Sequence, residues 1–326
     1  MKALQFTRKN HPELAELAIP RITDDEVLVA ARAVGVCHSD IDLLEDRYII
    51  PVRYPIIPGH EWSGEIVQVG NRVTTFAPGD RVVGECVIGD DHFGFSISGA
   101  AADFFVAKPA WLHRLPDPLS YTMGALVEPF SCGYYALVRA GNVNASDTVV
   151  VLGAGPIGLA VTAASVAMGA VTVVVEPQEG RRRVALELGA RHAVGPGEID
   201  DLLADLTAGR GADVVVEASG RPAVMARALE LAAFKGRVAY VGINVGDAAP
   251  ARLGLIQSKE LRLTGSIGSP GVWPDTLRFL ANSRIDLTPL VTQHFDVDHA
   301  LDALDAAHHP EATIKAHIEL TATLRS

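Results

Sequence analysis

Residues 148–158 read Thr148-Val-Val-Val-Leu152-Gly153-Ala-Gly155-Pro-Ile-Gly158. An apolar run without alternation suits a strand buried on both faces, as a parallel sheet requires. The three glycines that follow keep the G-x-G-x-x-G spacing, in the strand-before, helix-after context that a dinucleotide site needs. The first allows a tight turn, the second lets a pyrophosphate approach the backbone, and the third lets helix and strand pack closely. Pro156 falls in the first helical turn, where its missing N–H costs nothing. The helix N-terminus then offers free N–H groups to phosphate. Outward from this unit, a helix runs to about Met168, a strand covers Val171-Thr-Val-Val-Val175, and a helix lies near residues 181–188. Val214-Val-Val-Glu-Ala218 and Arg237-Val-Ala-Tyr-Val-Gly242 read as further strands. Strands alternating with helices predict an α/β fold, a doubly wound parallel sheet of the Rossmann type over residues 131–283.

The second strand runs into Glu176, 18 residues after Gly158 (176 − 158). A carboxylate there can accept both ribose hydroxyls of NAD and repels the extra phosphate of NADP. Arg181, Arg182 and Arg183 follow, and a nearby arginine could hold that phosphate, so the pattern favours NAD and leaves NADP open.

Residues 1–130 have a different rhythm. Glu26-Val-Leu-Val-Ala-Ala-Arg-Ala-Val34, Gly64-Glu-Ile-Val-Gln-Val-Gly70 and Pro78-Gly-Asp-Arg-Val-Val-Gly84 read as short strands and turns, the pattern of a small β-barrel. Leu301-Asp-Ala-Leu-Asp-Ala-Ala307 reads as an amphipathic helix in a tail, 284–326, expected to return to the first domain.

The formal charge is −11. An acidic surface disfavours nucleic acid and anionic membranes as partners, since both attract basic proteins. No apolar leader opens the sequence and no long uncharged apolar stretch interrupts it. Cys37, Cys86 and Cys132 are too few for a disulfide framework. A cytoplasmic, reducing setting is therefore expected.

Two further clusters stand out: Gly35-Val-Cys37-His38-Ser39-Asp40 and Pro58-Gly59-His60-Glu61. Cys, His and Glu are all zinc ligands. These motifs, with Pro78-Gly-Asp-Arg-Val82, Val127-Glu128-Pro129 and the glycine-rich turn, occur in the order found in the zinc-dependent medium-chain dehydrogenases/reductases. The chain resembles that family along its whole length, closest to the sorbitol and threonine dehydrogenase branch. The resemblance implies a GroES-like catalytic domain and a Rossmann domain, one catalytic zinc, and hydride transfer from a secondary alcohol to NAD. It implies that Cys37 and His60 hold the metal, with Glu61 and Glu128 placed to supply a remaining ligand or anchor a water. Asp40 looks like the carboxylate that orients His60. Ser39 is placed to take the alcohol proton, and Asp42 or His38 to pass it to solvent. Ile157 and Arg181 look like cofactor contacts, and Val241, Gly242, Ile243, Ser266, Ile267 and Gly268 look like the segments beside the nicotinamide.

Two departures qualify the resemblance. Asp42 stands where the family often has a histidine in the proton relay. Around Cys86 the chain carries one cysteine where many relatives have a four-cysteine lobe, so no structural zinc is expected. The competing readings are a zinc-free, NADPH-dependent quinone-type reductase of the same superfamily and a non-enzymatic dinucleotide-binding protein; neither explains the metal-ligating residues. The substrate class expected is a polyol, a sugar or an aminocyclitol. A homo-oligomer is expected too, paired through the strand at Leu261-Arg-Leu-Thr-Gly-Ser-Ile267.

Overall fold

Six strands carry the alternation of the second half of the chain. A computed structural model describes every residue except 49, 142, 245, 325 and 326. In it, strands His192–Val194, Val171–Val175, Thr148–Leu152, Ala212–Glu217, Ala232–Tyr240 and Arg262–Gly265 lie side by side in that order, all parallel. Val149, Val150, Val151 and Leu152 are buried, as a central strand covered on both faces demands. The order of connection reverses between Thr148–Leu152 and Ala212–Glu217. That reversal opens a crevice at the carboxyl ends of the strands, where ligands bind in such sheets. Helices Pro156–Ala167, Glu179–Glu187, Ile199–Thr207 and Pro222–Leu231 connect these strands.

The N-terminal half forms a curled, largely antiparallel sheet. Its order is Val291–Asp296, Lys315–Glu319, Val27–Val36, Glu61–Val69, Arg81–Gly84 and Leu112–Arg114, with Phe104–Ala107 also on Val27–Val36. The tail enters this sheet through Lys315–Glu319, which pairs antiparallel with Val27–Val36. Val29, Ile66, Val82, Phe93 and Phe105 fill its core.

The chain divides into two units: Met1–Glu128 with Trp273–Asn282 and Val291–Ser326, and Pro129–Val272 with Ser283–Leu290. This corrects the sequence-based boundaries in three short segments, the first being residues 129–130, expected in the first domain but part of the second unit. Residues 273–282, expected in the Rossmann domain, belong to the first unit, because Trp273 stacks on His113 with ring centroids 5.7 Å apart. Residues 284–290, expected with the returning tail, belong to the second. Among the described residues no helix is long and apolar enough to cross a membrane.

Candidate active site

Cys37 closes strand Val27–Val36 and caps helix His38–Leu44, its backbone N–H donating to Asp40 Oδ2 at 2.8 Å. That bond fixes Asp40 in the first helical turn, and its Oδ1 lies 3.4 Å from His60 Nδ1. The two atoms are at ion-pair distance but not aligned as a hydrogen bond. His60 leads into strand Glu61–Val69, whose register sets Glu61 opposite Gly35 and Gly35 opposite His317. Opposed residues share a sheet face, so the Glu61 side chain lies across Gly35. A Cβ at Gly35 would come within 2.3 Å of Glu61 Oε2. Beyond the glycine, Lys315 Nζ donates to Glu61 Oε1 at 2.7 Å, with both side chains almost wholly buried.

The result is a compact donor set. One ligand atom each from Cys37, His60 and Glu61 lies within 4.8 Å of the others. Glu61 Oε2 is buried with no hydrogen-bond partner. A thiolate, an imidazole and a free carboxylate oxygen fit zinc, whose catalytic sites use three protein ligands and leave one position open. Burial works against a charge on His60, but the carboxylate of Asp40 and the neighbouring Cys37 outweigh it and raise its pKa.

Around the cluster, Ser39 Oγ lies 3.5 Å from His60 Nε2, the ring nitrogen away from Asp40. Asp42 is paired with Arg47 at 3.1 Å, and His38 is exposed. Glu128 falls outside the three-residue cluster but stays in its neighbourhood. The Cys86 thiol and the Tyr48 hydroxyl are each pushed up to about 12, first by burial, and Glu128 and Cys37 add to both. Tyr48 stacks on Phe95 at 4.6 Å, and Phe95 packs on His60 at 4.6 Å. Lys315, Tyr48 and Phe95 were not marked by sequence reasoning. The signal for Lys315 was a lone cation in the alternating run Ile314-Lys-Ala-His-Ile318.

In the second unit the glycine-rich turn has the geometry its sequence requires. Gly153 has φ 98°, and a Cβ at Gly158 would sit 1.9 Å from the Gly153 carbonyl. Glu176 is buried; its Oε2 accepts from Ala154 N at 2.8 Å and its Oε1 from Gln178 N at 3.0 Å. Arg182 donates to the carbonyls of Glu176 and Pro177. Arg181 Nη1 is within 3.8 Å of where a Cβ on Gly155 would be, so it faces the same turn. Burial lowers its pKa, opposed by Glu176. Ile157 lies in the first turn of the following helix. Val241 is buried, whereas Ile243 and Ile267 are 62% and 63% exposed. Ser266 N donates to Tyr240 O at 3.0 Å, and Gly268 has φ 62°.

Two family models match the chain: the alcohol dehydrogenase GroES-like domain over residues 23–117 and the zinc-binding dehydrogenase over 156–282. Sorbitol dehydrogenase of Bacillus subtilis (strain 168) is 32% identical over 330 residues, covering 94% of this chain and 93% of that protein. The chain belongs to the zinc-type medium-chain dehydrogenase/reductase family. Solved members of this fold superpose along almost the whole length. Galactitol-1-phosphate dehydrogenase from Escherichia coli matches with a TM-score of 0.87 at 26% identity, over 98% of this chain and 100% of that one. A zinc-binding dehydrogenase from Sinorhizobium meliloti 1021, solved with NADP, matches with a TM-score of 0.89 at 26% identity, over 98% of each chain. As a member of this family the chain is an oxidoreductase acting on alcohols.

Proposed function

We propose that the protein is a polyol dehydrogenase that oxidises a secondary alcohol to a ketone with NAD, using one zinc per chain. The convergence of Cys37, His60 and Glu61 carries this reading, and the glycine-rich turn with Glu176 supports the dinucleotide. Zinc, when bound, supplies a Lewis acid that makes the alcohol proton easier to remove. Everything else falls to the chain. Cys37, His60 and Glu61 hold the metal, and Asp40 sets the orientation of His60. Ser39 is the hydroxyl beside His60 Nε2 and accepts the alcohol proton; Asp42 or His38 passes it to solvent. Glu128, in the same neighbourhood, holds a water or a substrate hydroxyl. Glu176 accepts the ribose hydroxyls, which favours NAD over NADP. The lone Cys86 sits before the short hairpin of Val87–Ile88 and Asp91–His92, too few ligands for a closed second site. Three cysteines in the whole chain are too few for a disulfide framework, which fits a reducing cytoplasm.

The test combines metal analysis of the purified protein with a panel of polyols, sugars and aminocyclitols, assayed with NAD and with NADP. About one zinc per chain and NAD reduction by a polyol are expected. Two zincs per chain would end the single-site reading, and preference for NADP would end the role given to Glu176. Turnover undiminished after zinc removal would end the metal mechanism.

A further inference from the structure

Glu217 takes no part in the chemistry above, yet its side chain is fully buried at the end of strand Ala212–Glu217, beside the point where the strand order reverses. A buried carboxylate is costly unless it is hydrogen-bonded, and its donors all come from the next turn. Oε1 accepts from Ser219 N at 2.7 Å, from Gly220 N at 3.1 Å and from the Ser219 hydroxyl. Oε2 lies 3.3 Å from Gly220 N and against Gly242, where a Cβ would come within 2.7 Å of it.

The same residue reaches a second segment, and the turn it holds reaches a third. Its backbone carbonyl accepts from Val241 N at 2.9 Å and Gly242 N at 3.0 Å. Asn244 Nδ2 ties that segment back to the Gly220 carbonyl at 2.9 Å. The Ser219 turn in its turn packs on Gly153, where a Cβ would approach Ser219 N to 3.2 Å. The Gly153 turn and the segment 241–244 therefore both meet the Ser219–Gly220 turn that this carboxylate holds.

We infer that Glu217 is a positioning residue of the dinucleotide crevice, locking the Ser219–Gly220 turn between the Gly153 turn and the segment 241–244. The inference rests on the dinucleotide reading of this unit. A glutamine keeps the size and one acceptor but sets an N–H group toward Gly220 N–H and Gly242. Donor then faces donor, and the turn is pushed out of place. Ser219→Ala is milder, since it removes one donor and leaves the carboxylate.

The experiment titrates the zinc-loaded enzyme with NADH by fluorescence, alongside zinc content and thermal melting, for wild type, Glu217→Gln and Ser219→Ala. Glu217→Gln should weaken NADH binding about tenfold, equivalent to about 1.4 kcal/mol, and Ser219→Ala by a smaller factor. Zinc content should not change, and turnover at saturating cofactor should fall less than binding does. A Glu217→Gln protein that melts lower but binds NADH as tightly as wild type overturns the inference. If that variant does not fold, unchanged binding by Ser219→Ala overturns it. Wild-type protein that binds neither NADH nor NADPH overturns the dinucleotide reading itself, a result distinct from either variant's.

Discussion

Lys315 and Glu61 form an ion pair almost out of reach of water, at one flank of the Cys37, His60 and Glu61 cluster. Burial works against the lysine's charge, but the charge of Glu61 outweighs it and raises the pKa. Removing one partner of such a pair strands the other charge, at a cost of about 3–5 kcal/mol. Lys315→Met should therefore lower the stability of the metal-free protein by that order. Zinc would then supply a positive charge in place of the one Glu61 has lost, so added zinc should raise the melting temperature more in the variant than in wild type. Equal stabilisation of both proteins by zinc would show that Lys315 has no electrostatic hold on the site. Ser39 makes a separate claim. Losing a positioned proton-transfer group costs about 10²–10⁴-fold in rate. Ser39→Ala should lose turnover in that range while keeping its zinc, whereas Asp42→Ala should lose less, because water can replace a terminal relay group. Normal turnover with a lowered melting temperature would leave Ser39 a packing residue only.

At the scale of elements, strand Lys315–Glu319 has the least ordinary chemistry in the fold. It buries a charged lysine and, two residues on along the same face, His317, which is fully buried with neither ring nitrogen hydrogen-bonded. Burial, helped by the charges of Lys315 and His294, pushes the His317 pKa down to about 3. The unfolded chain takes up that proton near pH 6.5 while the folded one does not, so stability falls as pH drops below about 6.5, by about 1.4 kcal/mol per unit. Between pH 7 and pH 5 this amounts to about 2 kcal/mol. His317→Leu should flatten the dependence by that amount in denaturant unfolding at the two pH values; an unchanged slope would mean that His317 is solvated. This strand also marks where the sequence stopped being legible. The parallel strands could be read because burial on both faces leaves continuous runs such as Val149-Val-Val151, and the turn at Gly153 because its backbone needs glycine. Cys37, His60 and Glu61 were legible as residue types, and their convergence depends on the pairing of Val27–Val36 with Glu61–Val69. The partner of Glu61 lies 254 residues away in the chain, and no local pattern announces a contact made by a returning tail. Helix Trp273–Ser283 was found in the sequence but given to the wrong unit for the same reason, since its anchor is a stacking contact with the distant His113.

At the scale of the whole molecule, the parallel sheet ends in two edges that differ. One is the three-residue strand His192–Val194, too short to recruit a neighbour. The other, Arg262–Gly265, is exposed along most of its length, with Leu263 38% exposed and Ile267 beside it at 63%. An open edge flanked by exposed apolar side chains is a liability unless a partner covers it, and a second copy across a two-fold axis does so with the same residues twice. We expect a homodimer built through this edge, with a light-scattering mass about double the 34.5 kDa of the chain. Each copy carries a formal charge of −11, so association works against like-charge repulsion. Raising the salt concentration should screen that repulsion and tighten the dimer, the reverse of what an interface held by ion pairs would show. A charge placed on the edge should act the other way: Leu263→Glu combined with Ile267→Glu should shift the protein toward monomer, with the zinc retained. A wild-type mass near 34.5 kDa at all salt concentrations would rule out the dimer. A dimer untouched by the two glutamates would mean that the copies meet elsewhere and that this edge is protected by its charge and short length alone.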